Sequence, residues 1–289
     1  MHDIRFIFAG EDSELQRKSV PMLARCFEEW QMFQAQFGNR FPFREISFAA
    51  LNENDEIVGH VGIMPFDVSD GKGGIIRMAG IASVGTAPEY RKRGIAAKLC
   101  RNAADWAQKN GFDVLPLYTS FFHVYESCGW NIYHVKSVEL ANKSFSPLKG
   151  KKGADLNADE RKFIIDCYRH MPDFCGKVIR TEDNAFHGWD RIFRETFFDW
   201  YVDDNGYAVS FEGVLAEFCT LNGDAANLTK GIGSAFLSRN FSGIDILKCS
   251  GWQLASENRE PLCWHGENVM TRNIKSIPPD IFFSLTDKF

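Results

Sequence analysis

The chain has 289 residues, of which 45% are hydrophobic and 25% are charged, and its formal net charge is -5. This is the composition of a globular protein with room for one large domain or two ordinary ones. The mildly acidic balance argues against a general nucleic-acid binder, and no apolar run is long enough to span a bilayer, so we expect neither nucleic acid nor a membrane as a partner.

The spacing of apolar residues predicts the order β-α-α-β-β-β-α-β-α-β over residues 1–140. Ser13 is a candidate N-cap for the first helix, and Pro21 should break that helix. Residues 53–56 separate two apolar runs in the manner of a hairpin turn. The predicted elements are strands over 4–8, 46–52, 57–67, 75–86, 113–118 and 132–140, and helices over 14–30, 91–109 and 121–127.

Residues 141–157 are polar and rich in Gly, Lys and Ser, which is typical of a linker. We therefore divide the chain into a first domain over 1–145, a linker over 146–157 and a second domain over 158–289. The second domain loosely repeats the order of the later half of the first. Its predicted elements are helices over 158–170, 186–201 and 224–238, and strands over 206–211, 214–219, 244–249 and 268–274.

The eight cysteines include no C-x-x-C pair, and no His/Cys cluster has the spacing of zinc ligands. The N-terminal sequence Met1–Arg5 lacks the charged and apolar regions of a signal peptide. We expect reduced, mostly buried thiols in a cytoplasmic protein without a bound metal. The sequence leaves a homo-oligomer open.

One segment, residues 81–97, combines a strand, a turn and the start of a helix. Pro88 ends the strand because it cannot donate to a ladder. Arg91, Lys92, Arg93 and Gly94 then open a helix with apolar residues at helical spacing. A helix N-terminus offers unpaired N–H groups and the positive end of the dipole, and three cations lie beside it. The segment predicts a site for a phosphate-rich ligand, although a solvated basic helix start has the same pattern.

This segment resembles motif A of the GNAT N-acetyltransferases, whose pattern Arg/Gln-x-x-Gly-x-Gly/Ala cradles the pyrophosphate of acetyl-CoA. Here the pattern is Arg91-x-x-Gly94-x-Ala96, and the resemblance extends to the element order of residues 1–140. It implies a mixed α/β (α+β) GNAT acyl-CoA N-acyltransferase fold followed by a second, degenerate GNAT-like domain. It also implies acetyl-CoA as co-substrate, held by Val84, Gly85, Thr86, Arg91, Lys92, Arg93, Gly94, Ile95, Ala96, Ala97 and Ser120. Gly85 is a candidate bulge in its strand.

Tyr125 is the candidate general acid, because many GNATs carry a tyrosine here, just before a Gly-aromatic pair and within reach of the CoA sulfur. A core tyrosine is the structural alternative. The spacing of Ser120 and Tyr125 resembles the Eis-like (enhanced intracellular survival) acetyltransferases, which follow a catalytic GNAT domain with a degenerate one. Phe121 replaces the Glu common in that group, and the chain ends at Phe289, before the sterol-carrier-like third domain whose terminal carboxylate serves them as base.

The sequence offers no strong general base. His123, His60 and Glu45 are weak candidates, and water or an amine that binds unprotonated are alternatives. Glu28, Trp30 and Phe33 lie in the region that walls the acceptor site in GNATs. Aromatic rings beside carboxylates suit an organic amine, but the helical spacing of the rings equally predicts core packing.

The features together predict an acetyl-CoA-dependent N-acetyltransferase that acts directly on an amine of a small molecule. One alternative is a CoA-binding sensor or interaction protein with a GNAT fold and little turnover, which the missing base and Phe121 favour. Another is a protein N-acetyltransferase. The intact turn from Arg91 to Ala96 and the presence of Tyr125 favour the enzyme.

Overall fold

Two β-sheets and the helices packed on them make up the structure, a computed structural model that describes residues 4–40, 45–134, 137–181, 188–238, 241–259, 268–278, 281 and 283. The strands are β1 (Arg5–Gly10), β2 (Ile46–Leu51), β3 (Ile57–Asp70), β4 (Ile75–Thr86), β5 (Val114–Thr119), β6 (Asn131–Ile132), β7 (Ser137–Asn142), β8 (Cys175–Val178), β9 (Phe198–Asp203), β10 (Gly206–Phe211), β11 (Val214–Thr220), β12 (Ser234–Ser238), β13 (Trp252–Arg259) and β14 (Asn268–Asn273). The helices are α1 (Ser13–Ala24), α2 (Glu28–Phe37), α3 (Ile95–Lys109), α4 (Phe122–Glu126), α5 (Ala158–His170), α6 (Trp189–Arg194) and α7 (Gly243–Cys249).

The first sheet has the order β1-β2-β3-β4-β5-β14-β6, and β8 joins the last residues of β3. The predicted hairpin between β2 and β3 is confirmed, because the Asn52 side chain accepts bonds from the N–H groups of Asn54 and Glu56 and closes the turn. Helices α1 and α3 pack on this sheet. The shared core includes Leu23, Ile63, Leu99, Leu115 and Met270.

The first predicted helix is two helices, with the break at residues 25–27. Pro21 lies inside α1, which continues to Ala24. The N-cap is Asp12, not Ser13, because the Asp12 carboxylate accepts bonds from the N–H groups of Glu14 and Leu15.

The two halves of the chain exchange strands. β14 lies between β5 and β6 in the first sheet, with Met270 opposite both Leu117 and Ile132. β7 lies between β12 and β13 in the second sheet. The strand predicted over 132–140 is therefore two short strands in different sheets. The domain boundaries at 145 and 157 stay a prediction, and strands cross them in both directions: the first sheet contains β8 and β14, and the second sheet contains β7.

The second sheet has the order β13-β7-β12-β11-β10-β9. Helix α5 confirms the prediction over 158–170, and a capping box between Asn157 and Glu160 begins it. The helix predicted over 186–201 is only α6, followed by β9; residues 182–187 lie outside the described chain.

Two predicted elements of the second half have the wrong type. The helix predicted over 224–238 is a turn followed by β12, and the strand predicted over 244–249 is α7. The side chain of Asn142 donates to the carbonyls of Thr229 and Ile232, at 2.9 and 3.0 Å, which fixes the turn. Tertiary bonds to β7 thus override the local helical spacing.

The predicted linker is packed against the second sheet. Lys151 and Trp200 exchange two main-chain hydrogen bonds of 2.8 Å, and Gly153 and Leu156 are buried. A Cβ at Gly153 would lie 2.3 Å from the carbonyl oxygen of Phe193, so only glycine fits this approach.

Candidate active site

A gap opens between the parallel strands β4 and β5. The two strands pair at Met78 and Val114, and no further pair joins them, although both strands are described throughout. β4 continues to Thr86 and β5 to Thr119. Backbone groups that face the gap are therefore not used in a ladder between these strands and are available to a peptide-like ligand. The splay that the family resemblance implies is present.

Strand β4 carries a bulge beside this gap. His60 of β3 lies opposite Gly85, whereas Gly62 lies opposite Ala82. Two residues of β4 thus face one residue of β3. Ser83, the first of them, has a φ of +51°, a left-handed conformation that costs a non-glycine residue energy.

The bulge was predicted at Gly85 and lies instead at Ser83 and Val84. Gly85 serves packing, because a Cβ there would come within 3.0 Å of Leu23 on α1. At the end of the strand, the Thr86 hydroxyl is buried and has no hydrogen-bond partner among the described residues. Val84, Gly85 and Thr86, the predicted strand residues for the acetyl-CoA arm, lie in β4 beyond its one pair with β5; their role stays a prediction.

The basic loop follows the end of β4. Arg91, Lys92 and Arg93 are exposed. The Arg91 Nε donates to the carbonyl of Thr86 at 3.2 Å, and the Arg93 guanidinium donates to the carbonyl of Glu89 at 3.0 Å. Two of the three guanidinium or ammonium groups are thus tied to the backbone of the turn, which holds their charge at the mouth of the gap.

Helix α3 begins at Ile95 and not at residue 91 as predicted. Gly94 caps it with a φ of +74° and no side-chain hydrogen bond, and no atom lies within 4 Å of the position of a Cβ there. The N–H groups of Ile95, Ala96 and Ala97 lack partners within the helix because they belong to its first turn. An open helix N-terminus beside cations fits a phosphate group.

Tyr125 lies on the short helix α4, with 8% of its surface exposed. Its ring meets Trp130 edge to face, with 6.4 Å between centroids. The Trp130 indole donates to the carbonyl of Leu115 on β5 at 2.8 Å. Tyr125 thus packs against a residue that is anchored to the strand bordering the gap, and it contributes to the core; its role as the general acid stays a prediction.

The second half of the chain supports this end of the gap. The Arg272 guanidinium on β14 donates to the carbonyl of Cys128 at 2.8 Å and lies 5.4 Å from the centroid of Trp130. Sequence reasoning missed Arg272. The strand pattern over 268–274 was visible, but no local pattern shows which sheet a strand joins.

Three residues near Tyr125 face solvent. Ser120 is exposed directly after β5, and Phe121 is 73% exposed. His123 is fully exposed, and its Nδ1 lies 3.5 Å from the carboxylate of Glu126. An imidazole held only by a surface carboxylate is not fixed in the gap.

The predicted acceptor residues lie on α2 in different environments. Trp30 is 9% exposed and belongs to the main core. Phe33 is half-buried against Trp30, with 6.1 Å between ring centroids, and Glu28 is exposed. Their role in binding an amine stays a prediction.

Glu45 and His60, weak candidates for the base, are brought together and have no exposed surface. The His60 Nε2 lies 3.2 Å from the Glu45 carboxyl. Burial raises the pKa of Glu45 to about 8 and lowers the pKa of His60 to about 4, because a dry interior disfavours the charged forms. Neither side chain reaches a substrate amine directly.

The second sheet has a comparable divergence between β11 and β12, which pair only at Val214 with Ser234 and at Leu215 with Ala235. Phe218 and Phe241 meet there, with 6.1 Å between centroids. The chain after β11 reads Leu-Asn-Gly-Asp and carries no cation. That this half lacks a CoA site stays a prediction.

The described residues contain neither a metal-binding cluster nor a membrane-spanning helix. No group of three His, Cys, Asp or Glu side chains in the described parts is arranged to hold a metal ion. None of the helices there is both long enough and apolar enough to cross a membrane.

Comparisons with known proteins agree with this geometry. Residues 12–133 match the family model of the acetyltransferase (GNAT) domain. A GCN5-related N-acetyltransferase from Anabaena variabilis is similar in structure, with 17% sequence identity, a TM-score of 0.59, and coverage of 94% of this chain and 73% of that chain. Another from Kribbella flavida has 18% identity, a TM-score of 0.57, and coverage of 94% of this chain and 71% of that chain. Eis1 from Mycobacterium abscessus has 13% identity, a TM-score of 0.56, and coverage of 92% of this chain and 73% of that chain. No curated protein matches the sequence. At these identities the structures show the fold alone, and together with the family match over residues 12–133 they show that this chain has the GNAT fold.

Proposed function

We propose that this protein is an acetyl-CoA-dependent N-acetyltransferase that transfers an acetyl group directly to an amine of a small molecule. The observation that carries the proposal is the gap between β4 and β5; at its mouth lie the basic loop and the N-terminus of α3, which has no side-chain cap. A peptide-like arm fits the gap, and a pyrophosphate fits the helix N-terminus.

The residues at the gap divide the work. The N–H groups of Ile95, Ala96 and Ala97, with the cations Arg91 to Arg93, hold the phosphates. Val84, Gly85 and Thr86 orient the arm through backbone groups, and a β4 N–H polarises the thioester carbonyl. When bound, acetyl-CoA supplies the activated acetyl group.

Tyr125 acts as the general acid that protonates the departing thiolate. Its placement against Trp130 supports this role, since a fixed phenol loses little entropy on proton transfer. Because Glu45 and His60 are buried, the amine arrives unprotonated or gives its proton to water. The terminal carboxylate of Phe289 is a further candidate for the base, because the Eis-like group uses the C-terminal carboxylate of its third domain; Phe289 lies outside the described residues.

We propose further that the protein is an Eis-like acetyltransferase, that it is cytoplasmic, and that its second half is a degenerate GNAT-like domain. A CoA-binding protein with little turnover is the second candidate, and the complete burial of Glu45 and His60 favours it. A protein acceptor is the third, and the exposed Phe121 beside the gap is compatible with a peptide.

The test is thiol release from acetyl-CoA over a panel of small amines, with an N-terminal peptide and a lysine peptide in the same panel. Mass spectrometry should show one added acetyl group on a small amine. Calorimetry with CoA should give one equivalent per chain. One equivalent without thiol release on any amine would establish the binding protein instead, and acetylation of peptides alone would establish a protein acetyltransferase.

A further inference from the structure

Glu45, His60 and Ser83 form a ring of polar contacts around the bulge of β4. The carbonyl of Ser83 lies 3.0 Å from the His60 Nδ1, and the Ser83 hydroxyl donates to the Glu45 carboxyl at 3.1 Å. The ring closes where the His60 Nε2 lies 3.2 Å from the other oxygen of Glu45, a close polar contact without the alignment of a hydrogen bond. Both polar ends of the one left-handed residue in the bulge are thus held by the same pair.

The surroundings are built to hold this pair in place. A Cβ at Gly62 would lie 2.1 Å from the Glu45 carboxyl, so β3 has a glycine where the carboxyl needs space. The Ser47 hydroxyl donates to the same carboxyl at 3.3 Å. Gln16 on α1 donates to the Glu45 carbonyl at 2.7 Å. A buried carboxyl with this many partners has one available position.

The protonation of the pair fits a positioning role. The groups that face the carboxyl are His60 from β3, Ser47 from β2 and Ser83 from β4. Burial favours the uncharged forms of both Glu45 and His60. With His60 neutral, its Nδ1–H donates to the Ser83 carbonyl, and the Glu45 carboxyl accepts from the Ser83 hydroxyl.

We propose that Glu45 and His60 are positioning residues that hold the bulge at Ser83 in one conformation. In that conformation, backbone groups of β4 that do not pair with β5 face the acyl thioester. The inference rests on the proposed acetyl transfer for its consequence, but the ring itself is a property of the fold. Neither residue touches the reacting atoms. Each acts through Ser83.

The decisive variants are Glu45→Ala and Glu45→Gln. Alanine removes the ring, whereas glutamine has the shape of the neutral acid and still accepts a bond from the Ser83 hydroxyl. Amide hydrogen exchange is read on a peptide that covers residues 82–86. Glu45→Ala should raise this exchange by at least about tenfold, and Glu45→Gln should stay near wild type.

The kinetic readout should follow the same order. Glu45→Ala should lower kcat by about 10- to 100-fold through misplacement of the bulge. The KM for acetyl-CoA should change less than kcat, because the proposed phosphate-binding residues Arg91 to Ala97 are untouched. Glu45→Gln should retain turnover at neutral pH. A direct base would lose activity equally in both variants, so equal losses would overturn the proposal.

Two further variants keep the test sharp. Ser47→Ala removes a bond to the same carboxyl without touching β4 and is the matched control, with exchange near wild type. Ser83→Ala removes only the hydroxyl and serves if Glu45→Ala does not fold; it should raise exchange over 82–86. A folded Glu45→Ala or Ser83→Ala protein with unchanged exchange would overturn the proposal. If the wild-type protein neither binds CoA nor turns over, the proposed function is overturned instead. Amide hydrogen exchange in the variants would still decide whether Glu45 and His60 position the bulge.

Discussion

Tyr125 illustrates how one hydroxyl can be tested apart from the packing that holds it. Tyr125→Phe keeps the ring against Trp130 and removes the proposed proton donor. Turnover should fall by about 10²–10⁴-fold, while CoA affinity should stay within about threefold because the hydroxyl acts as the thiolate forms. Single-turnover kinetics and calorimetry measure the two effects. Wild-type turnover on a verified amine would remove Tyr125 from the chemistry, and lost CoA binding would make it a binding residue.

Glu45 predicts a pH dependence of stability. Burial raises its pKa from an ordinary 4.5 to about 8, so between these values the folded protein holds a proton that the unfolded chain releases. Its contribution to stability is complete below pH 4.5 and is lost as the pH rises toward 8. Glu45→Gln lacks this dependence. The difference in unfolding free energy between wild type and variant should therefore fall with pH, by at most about 1.4 kcal/mol per unit.

Urea unfolding at several pH values between 5 and 8 measures this difference. His60 has the opposite sign, because its pKa is lowered from 6.5 to about 4 and its contribution grows as pH rises through that range. His60 is present in both proteins, so its effect cancels to first order. A constant difference across the range would show that Glu45 is ionised in the folded protein.

At the scale of elements, the N-terminus of α3 is the feature to test. Gly94→Asp and Gly94→Asn introduce side chains of equal size at a left-handed position that both tolerate better than other residues do. Only Asp adds a negative charge opposite the phosphates. We expect Asp to weaken CoA binding at least about tenfold more than Asn, and the difference to shrink with salt. Calorimetry at two ionic strengths checks this, and equal affinities would place the phosphates elsewhere.

The stability of helix α3 should not follow the CoA affinity in these two variants. A carboxylate at an N-cap interacts favourably with the helix dipole, by about 0.3–1 kcal/mol at an exposed site. Gly94→Asp should therefore melt no lower than Gly94→Asn. This separates lost phosphate binding from general damage to α3.

For the whole molecule, the exchange of β7 and β14 makes the candidate site depend on both halves of the chain. Arg272→Ala removes the bond to the Cys128 carbonyl and the contact with Trp130. We expect a loss of about 1–3 kcal/mol of stability, the usual effect of an unpaired buried acceptor, and a lower kcat with an unchanged KM for acetyl-CoA. Chemical denaturation and steady-state kinetics measure both.

Lys275→Ala is the matched control for this variant. Lys275 follows β14 and pairs with Asp113 at 2.5 Å, with its side chain 63% exposed, and exposed pairs contribute little. It should behave like wild type. If Arg272→Ala also leaves kcat unchanged, β14 stabilises the sheet but does not position the segment that carries Tyr125.

Local sequence patterns were sufficient to predict the elements whose structure depends on residues adjacent in the sequence. The hairpin at residues 53–56, the strand 75–86 and helix α5 follow from apolar spacing, turn residues and caps, and the structure confirms them. The motif from Arg91 to Ala96 was visible for the same reason. Gly94 and the three cations act within one turn of a helix, and a short segment encodes such a site completely.

Partners that are distant in sequence decided the rest. Residues 224–238 have helical spacing, but pairing with β7 and the bonds from Asn142 make part of them a strand. Glu45, His60 and Ser83 come from separate segments, and only the fold brings them into one ring. The sequence by itself determined the fold class and the basic turn from Arg91 to Ala96, because those depend on contacts within a few residues. The tertiary structure decided the strand exchange, the position of the bulge and the role of Arg272, since each depends on which non-local pairing buries the most surface and satisfies the most backbone groups.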